Sequence, residues 1–183
     1  MSDTEKIHII GIGDDGADGI TSRAKSLIDE AQLLIGPPFI LKLFDGQSSE
    51  CWDAGDDIEA LANRLNSAEH QKVVILTPGD PLFYGTARYL CDRLGKDRFE
   101  VLPHVSTMQL AFARVKETWN EAYLTNLATH SLTHVINKIR NAERVGVFTA
   151  SHATPADLAN ALLDAGIDYF TAYVCENLGA PDE

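Results

Sequence analysis

Short apolar runs alternate with amphipathic stretches along the chain. Residues 6–10 read as a first strand, followed by a glycine-rich loop over residues 11–20. Thr21 suits a helix N-cap, and Ala24, Leu27, Ile28 and Ala31 then recur at i, i+3, i+4 and i+7, one face of a helix. Residues 33–35 predict a second strand, stopped by Gly36-Pro37-Pro38, and residues 39–44 a short helix. Residues 45–55 are rich in turn formers and show no clear period. Asp56 and Asp57 open another helix, with Ile58, Leu61, Ala62 and Leu65 on one face and carboxylates at its positive end. Residues 73–76 form a continuous apolar run, as a strand buried on both faces would. Ala87, Leu90, Cys91 and Leu94 mark a helical stripe, and residues 99–102 the next strand.

The second half repeats the theme. Residues 106–114 predict a helix in which Ser106 and Gln109 fit a capping box. Residues 122–127 and 145–148 read as strands and 135–140 as a helix. Thr154 and Pro155 fit the N-cap and first position of a helix reaching Ala165, with Gly166 just past its end. Residues 169–175 predict a last strand. Strands alternating with helices predict an α/β fold with mostly parallel sheets and right-handed crossovers. A lobe boundary is expected near residues 102–106, giving an N-terminal α/β lobe over 1–103 and a C-terminal one over 104–183.

Composition narrows the function classes. With 45% hydrophobic and 23% charged residues in 183, the chain has the make-up of an ordinary globular protein, with no need of disulfide staples. Its net charge of −12 argues against nucleic acid and anionic membranes as partners. Cys51, Cys91 and Cys175 form no C-x-x-C pair, which fits reduced thiols in a cytoplasmic protein. The polar start, Met1-Ser2-Asp3-Thr4-Glu5, lacks the layout of a secretory signal, and no apolar run reaches membrane-spanning length.

Four stretches hold candidate chemistry. Gly11-Ile12-Gly13-Asp14-Asp15-Gly16 follows a strand and matches G-x-G-x-x-G on paper. Asp14 and Asp15 stand where pyrophosphate would lie, the helix starts late, and the second strand lacks the acidic residue that would hold a ribose. A loop of permissive glycines and a loop lining another ligand are the other readings. Thr77-Pro78-Gly79-Asp80-Pro81-Leu82-Phe83-Tyr84-Gly85 follows a buried strand, at the edge where open α/β sheets bind ligands. It reads equally as a strand-to-helix turn in which Asp80 caps a helix begun by Pro81. Pro103-His104-Val105-Ser106-Thr107 also opens a helix, with hydroxyls for a ligand or for the helix's own N–H groups. The histidines, His8, His70, His104, His130, His134 and His152, make no metal-ligand pattern; His130 and His134 are four apart with a helix start between them. No metal is expected. The acidic runs at Asp14, Asp15, Asp18 and at Asp53, Asp56, Asp57, Glu59 read as solvated surface.

Taken together, these motifs resemble the tetrapyrrole methyltransferases that use S-adenosylmethionine. The resemblance rests on Ile9-Ile10-Gly11-Ile12-Gly13 leading to Ile20-Thr21, on Gly79-Asp80-Pro81, and on Pro103-His104-Val105-Ser106-Thr107. It is closer to the precorrin-6Y or cobalt-precorrin-7 C5-methyltransferases through residues 79–87, 108–114, Trp119 and 176–183. It implies a two-lobed tetrapyrrole-methylase fold, with cofactor and tetrapyrrole meeting between lobes, a homodimer, and S-adenosylmethionine as cofactor. The C-terminal lobe is expected to be incomplete, since the chain ends within a family motif. Carried over by motif, Gly79, Asp80, Pro81, Ser106, Thr107, Thr149, Cys175 and Glu176 would contact the cofactor. Gly11, Gly13, Asp14 and Tyr84 would border the tetrapyrrole. His104 stands at a usual glycine, and Gly36-Pro37-Pro38-Phe39 at a Gly-Arg-like pair. Arg23, Arg88, Arg114 and Lys116 are candidate partners for substrate carboxylates. The implied activity is C5 methylation of precorrin-7 or cobalt-precorrin-7 in cobalamin synthesis, with a separate C15-methylating decarboxylase as possible partner. A methylase for another precorrin carbon and a non-catalytic tetrapyrrole- or nucleotide-binding module are the alternatives.

Overall fold

A computed structural model of the chain describes residues 6–55, 57–67, 72–180 and 183. Met1–Glu5, Asp56, His70 and the Pro181-Asp182 pair of the terminal motif, all cited above, lie outside the described residues. The chain divides into two compact units, Met1–Thr107 with Gly179–Glu183, and Met108–Leu178.

The first unit is built on a five-stranded parallel sheet of β1 (Ile7–Ile12), β2 (Leu33–Gly36), β3 (Glu50–Asp53), β4 (Val73–Pro78) and β5 (Phe99–Leu102), in the order β3-β2-β4-β1-β5. Helices α1 (Ser22–Asp29), α2 (Pro38–Leu41), α3 (Ile58–Ser67) and α4 (Ala87–Leu94) connect the strands. The two-residue period of a strand sorts the apolar residues into two cores. Ile7, Ile9, Leu33, Ile35, Val73 and Ile75 pack with Leu61, Ala62 and Leu65 of α3 and Ala87 and Leu90 of α4. Ile10, Ile12, Leu34, Val74 and Leu76 pack with Ala24 and Ile28 of α1 and Ile40 of α2. Burial on both faces is why β4 reads as an unbroken apolar run. Register then brings strand ends level: Ile10 pairs with Leu102 and with Leu76, Gly11 with Thr77 and Ile12 with Pro78. The turns after β1, β4 and β5 therefore leave the sheet side by side.

The second unit holds a parallel pair, β6 (Tyr123–Asn126) and β7 (Val145–Phe148), and helices α5 (Thr107–Val115), α6 (Leu132–Ile139) and α7 (Pro155–Asp164). Leu127, Val135, Ile136, Ile139, Ala153 and Ile167 form its core. Helix α7 carries the expected N-terminus as a complete capping box between Thr154 and Asp157.

The turn-rich region, which showed no clear period, contains β3, paired in parallel to β2. Two local expectations need correction. Pro81 begins no helix; residues 81–86 form turns and α4 starts at Ala87. Residues 169–175 form no strand. Their aromatic and β-branched composition favours strand, but a strand exists only as a hydrogen-bonded partner of another. Tyr169, Tyr173 and Val174 are each more than 60% exposed.

Candidate functional site

Glycines let three turns interlock at the carboxyl edge of the first unit's sheet. Gly79 closes β4 with φ +60°, a left-handed conformation that penalises any side chain. Its N–H donates to the Ile12 carbonyl at 2.7 Å, tying the β4 turn to the end of β1. A methyl group on Gly79 would stand 3.5 Å from Cα of Ser106. A methyl group on Gly11 would overlap the Gly79 carbonyl oxygen and come within 2.7 Å of the His104 N–H nitrogen. Gly11 is buried, so its missing side chain serves this backbone approach.

Asp80 stabilises the next turn. Its carboxylate accepts from the Leu82 N–H at 2.9 Å, and its carbonyl accepts from the Phe83 N–H at 3.1 Å. Pro81 is buried, and its carbonyl accepts from the Ala87 N–H at 3.3 Å. Asp80 thus caps a turn where the sequence suggested a helix. Tyr84 has φ +58°, an uncommon conformation for a bulky residue, and its ring meets Phe83 edge-on at 5.0 Å. Ser106 is buried and Thr107 exposed at the start of α5. Leu82, Tyr84 and Val105, from the same two turns, are exposed apolar side chains.

One polar atom here was missed from the sequence. Thr77 is buried, and its Oγ1 has no hydrogen-bond partner among the described residues. Such a hydroxyl ordinarily finds a partner. The sequence marked its stretch, but not that its side chain is buried.

Gly13 and Asp14 lie in the glycine loop, where Gly16–Asp18 makes one turn of 3-10 helix. Helix α1 begins only at Ser22, and its N-cap is occupied by the Thr21 hydroxyl, which accepts from the Ala24 N–H at 3.2 Å. Carboxylates in the loop and a filled N-cap oppose the dinucleotide reading.

The candidate cations are placed less favourably. Arg23 pairs with Glu100, which also meets Nε2 of His8 at 3.3 Å. Glu100 is the ladder partner of His8, toward the amino end of the strands. Arg88 pairs with Asp92 at 3.7 Å on α4. In the second unit Thr149 follows β7 and is exposed; Cys175 and Glu176 are exposed on the segment without a strand. His130 and His134 stack at 5.6 Å, and among the described residues no three His, Cys, Asp or Glu side chains group to hold a metal. Nor is any helix among them long and apolar enough to cross a membrane.

The family model for tetrapyrrole (corrin/porphyrin) methylases matches residues 6–183. The chain belongs to this family. Among the methylases, it is 27% identical over 177 residues to the cobalt-precorrin-7 C(5)-methyltransferase of Salmonella typhimurium, covering 97% of this chain and 87% of that one. It is 30% identical over 178 residues to the decarboxylating precorrin-6Y C(5,15)-methyltransferase of a Sinorhizobium species, covering 97% of this chain and 43% of that relative. The crystal structure of the precorrin-6Y methylase from Archaeoglobus fulgidus superposes with a TM-score of 0.61 at 23% identity, covering 84% of this chain and 78% of that one. The parallel sheet and its connections are thus those of a tetrapyrrole methylase.

Proposed function

We propose that this methylase transfers a methyl group from S-adenosylmethionine to C5 of precorrin-7 or cobalt-precorrin-7. The observation that carries the reading is the convergence of Gly79 and Ser106, with 3.5 Å between the position of a Gly79 methyl and Cα of Ser106. It places the two most characteristic motifs at one edge of one sheet, the edge where ligands of open α/β sheets bind. The similarity to C5-methylating relatives supports the choice of carbon.

The residues present fit the cofactor that the family uses. Gly79 leaves backbone uncovered by a side chain, and the Thr77 hydroxyl, without a partner among the described residues, supplies a hydrogen-bonding atom. When bound, the cofactor supplies an electrophilic methyl group on a sulfonium. In this reading Gly79, Asp80 and Pro81 hold the turn that receives it, Asp80 through its hydrogen bond to Leu82. Ser106 and Thr107 contribute from the neighbouring strand end. Gly11, Gly13, Asp14 and Tyr84 border the tetrapyrrole, and Leu82, Tyr84 and Val105 offer its flat face an apolar surface. Thr149, Cys175 and Glu176 are carried in the proposal on the resemblance alone. The protein's contribution to in-line displacement is alignment of carbon, methyl and sulfur, which needs rigid turns more than a strong base. A homodimer, and a C15-methylating decarboxylase as partner, complete the proposal.

Calorimetry with S-adenosylhomocysteine tests the site. The wild type binds, and Asp80→Ala and Thr107→Val each bind more weakly. Unchanged affinity in both variants refutes these assignments.

A further inference from the structure

Resting on that reading, we propose that His104 is a positioning residue: its imidazole clamps the glycine loop of residues 13–19 against the turn after β5 and so sets affinity for the tetrapyrrole. The ring is largely enclosed, its side chain 15% exposed. Nε2 lies 3.0 Å from the carbonyl oxygen of Gly19, 85 residues away in sequence, and 3.7 Å from Oδ1 of Asp15. Nδ1 lies 3.3 Å from the Val105 carbonyl. A carbonyl only accepts, so the Gly19 contact needs the N–H on Nε2, which the Nε2–H tautomer of a neutral imidazole supplies. The loop offers the ring only acceptors, and the ring is the donor that gathers them.

The loop is shaped around the ring. A methyl group at Gly13 would come 2.6 Å from Cε1 of His104 and 2.5 Å from the Asp15 carboxylate. One at Gly19 would overlap the same carboxylate. Two glycines therefore lack side chains where His104 and Asp15 lie. The clamp joins the loop after β1 to the turn that carries Ser106, so it fixes the substrate-bordering loop relative to the turns assigned to the cofactor. Loss of the ring removes the hydrogen bond to the Gly19 carbonyl and frees that end of the loop.

The test compares wild type, His104→Ala and His104→Gln in the full chain, with two readouts. In hydrogen–deuterium exchange without ligand, peptides covering residues 13–19 exchange about tenfold faster in His104→Ala, the effect of one lost hydrogen bond. His104→Gln, whose amide N–H still reaches Gly19, restores most of the protection. In methyl transfer with cobalt-precorrin-7, His104→Ala raises KM about tenfold with kcat within about twofold, and His104→Gln lies between. A purely structural histidine would lower the apparent kcat with the amount of folded protein and leave KM unchanged. Wild-type exchange in His104→Ala overturns the clamp. Faster exchange with unchanged KM overturns its role toward substrate. Faster exchange in the variant together with no transfer by the wild type supports the clamp and overturns the assigned substrate instead.

Discussion

Thr77 shows how one atom can report on a site. Its hydroxyl is buried without a partner among the described residues, a condition that costs about 1–3 kcal/mol. Valine has the same shape and no hydroxyl. Thr77→Val is expected to raise the stability of the ligand-free protein by about 1 kcal/mol in urea unfolding and to weaken S-adenosylhomocysteine binding about tenfold. A stabilised variant that binds as wild type would show that the hydroxyl faces no ligand. Glycines 11 and 79 were legible as special from the sequence, because only a turn or a close approach explains them after a strand. Their division of labour was not. Gly79 answers to a positive φ and Gly11 to the Gly79 carbonyl, and the second is a contact between residues 68 apart in sequence. His104 was visible only as a departure from a motif; its bond to Gly19 depends on how the loop returns to the sheet.

At the scale of elements, the sequence was most informative where local chemistry decides. Thr21 caps α1 as its spacing suggests, and the Thr154–Asp157 box caps α7. The Asp157 carboxylate accepts from the Thr154 hydroxyl at 2.7 Å and its N–H at 2.9 Å. These bonds, the hydroxyl's first, hold its carboxyl below the ordinary carboxylate range. A carboxyl lowered on folding stabilises above its unfolded pKa, and that contribution is lost as pH falls through the folded value. Asp157→Ala should therefore be less stable than wild type at neutral pH, with the gap closing as the solution is acidified through that range. Urea unfolding at a series of pH values reads this; a gap constant with pH contradicts it. Elements decided by distant partners were not legible. Strand β3 has one half-buried residue in four, and its Trp52 is covered by Arg64 of α3, 4.0 Å from the ring centre. Residues 169–175 have the opposite character, strand-like composition with no ladder beside it.

For the whole molecule, charge and fold act together. The fold class and its parallel pairing followed from the alternation of periods, because crossover helices leave a parallel sheet buried on both faces. The net charge of −12 repels a substrate rich in carboxylates, and Arg23 and Arg88, two of the cations that could offset it, are engaged by Glu100 and Asp92. Added salt screens this repulsion. KM for the tetrapyrrole is therefore expected to fall as ionic strength rises from about 0.01 to 0.15 M, where the screening length shortens from ~30 to ~8 Å. A KM that rises over that interval would reveal a local basic site that dominates the overall field. The most direct measurement of the central claim is methyl transfer itself. Purified chain is incubated with S-adenosylmethionine carrying a carbon-13 methyl group and with precorrin-7 or cobalt-precorrin-7, and the product's labelled carbon is located by NMR. The account predicts a single labelled methyl at C5 with release of S-adenosylhomocysteine. Label at another carbon, or no transfer by a protein that binds the cofactor, would contradict it.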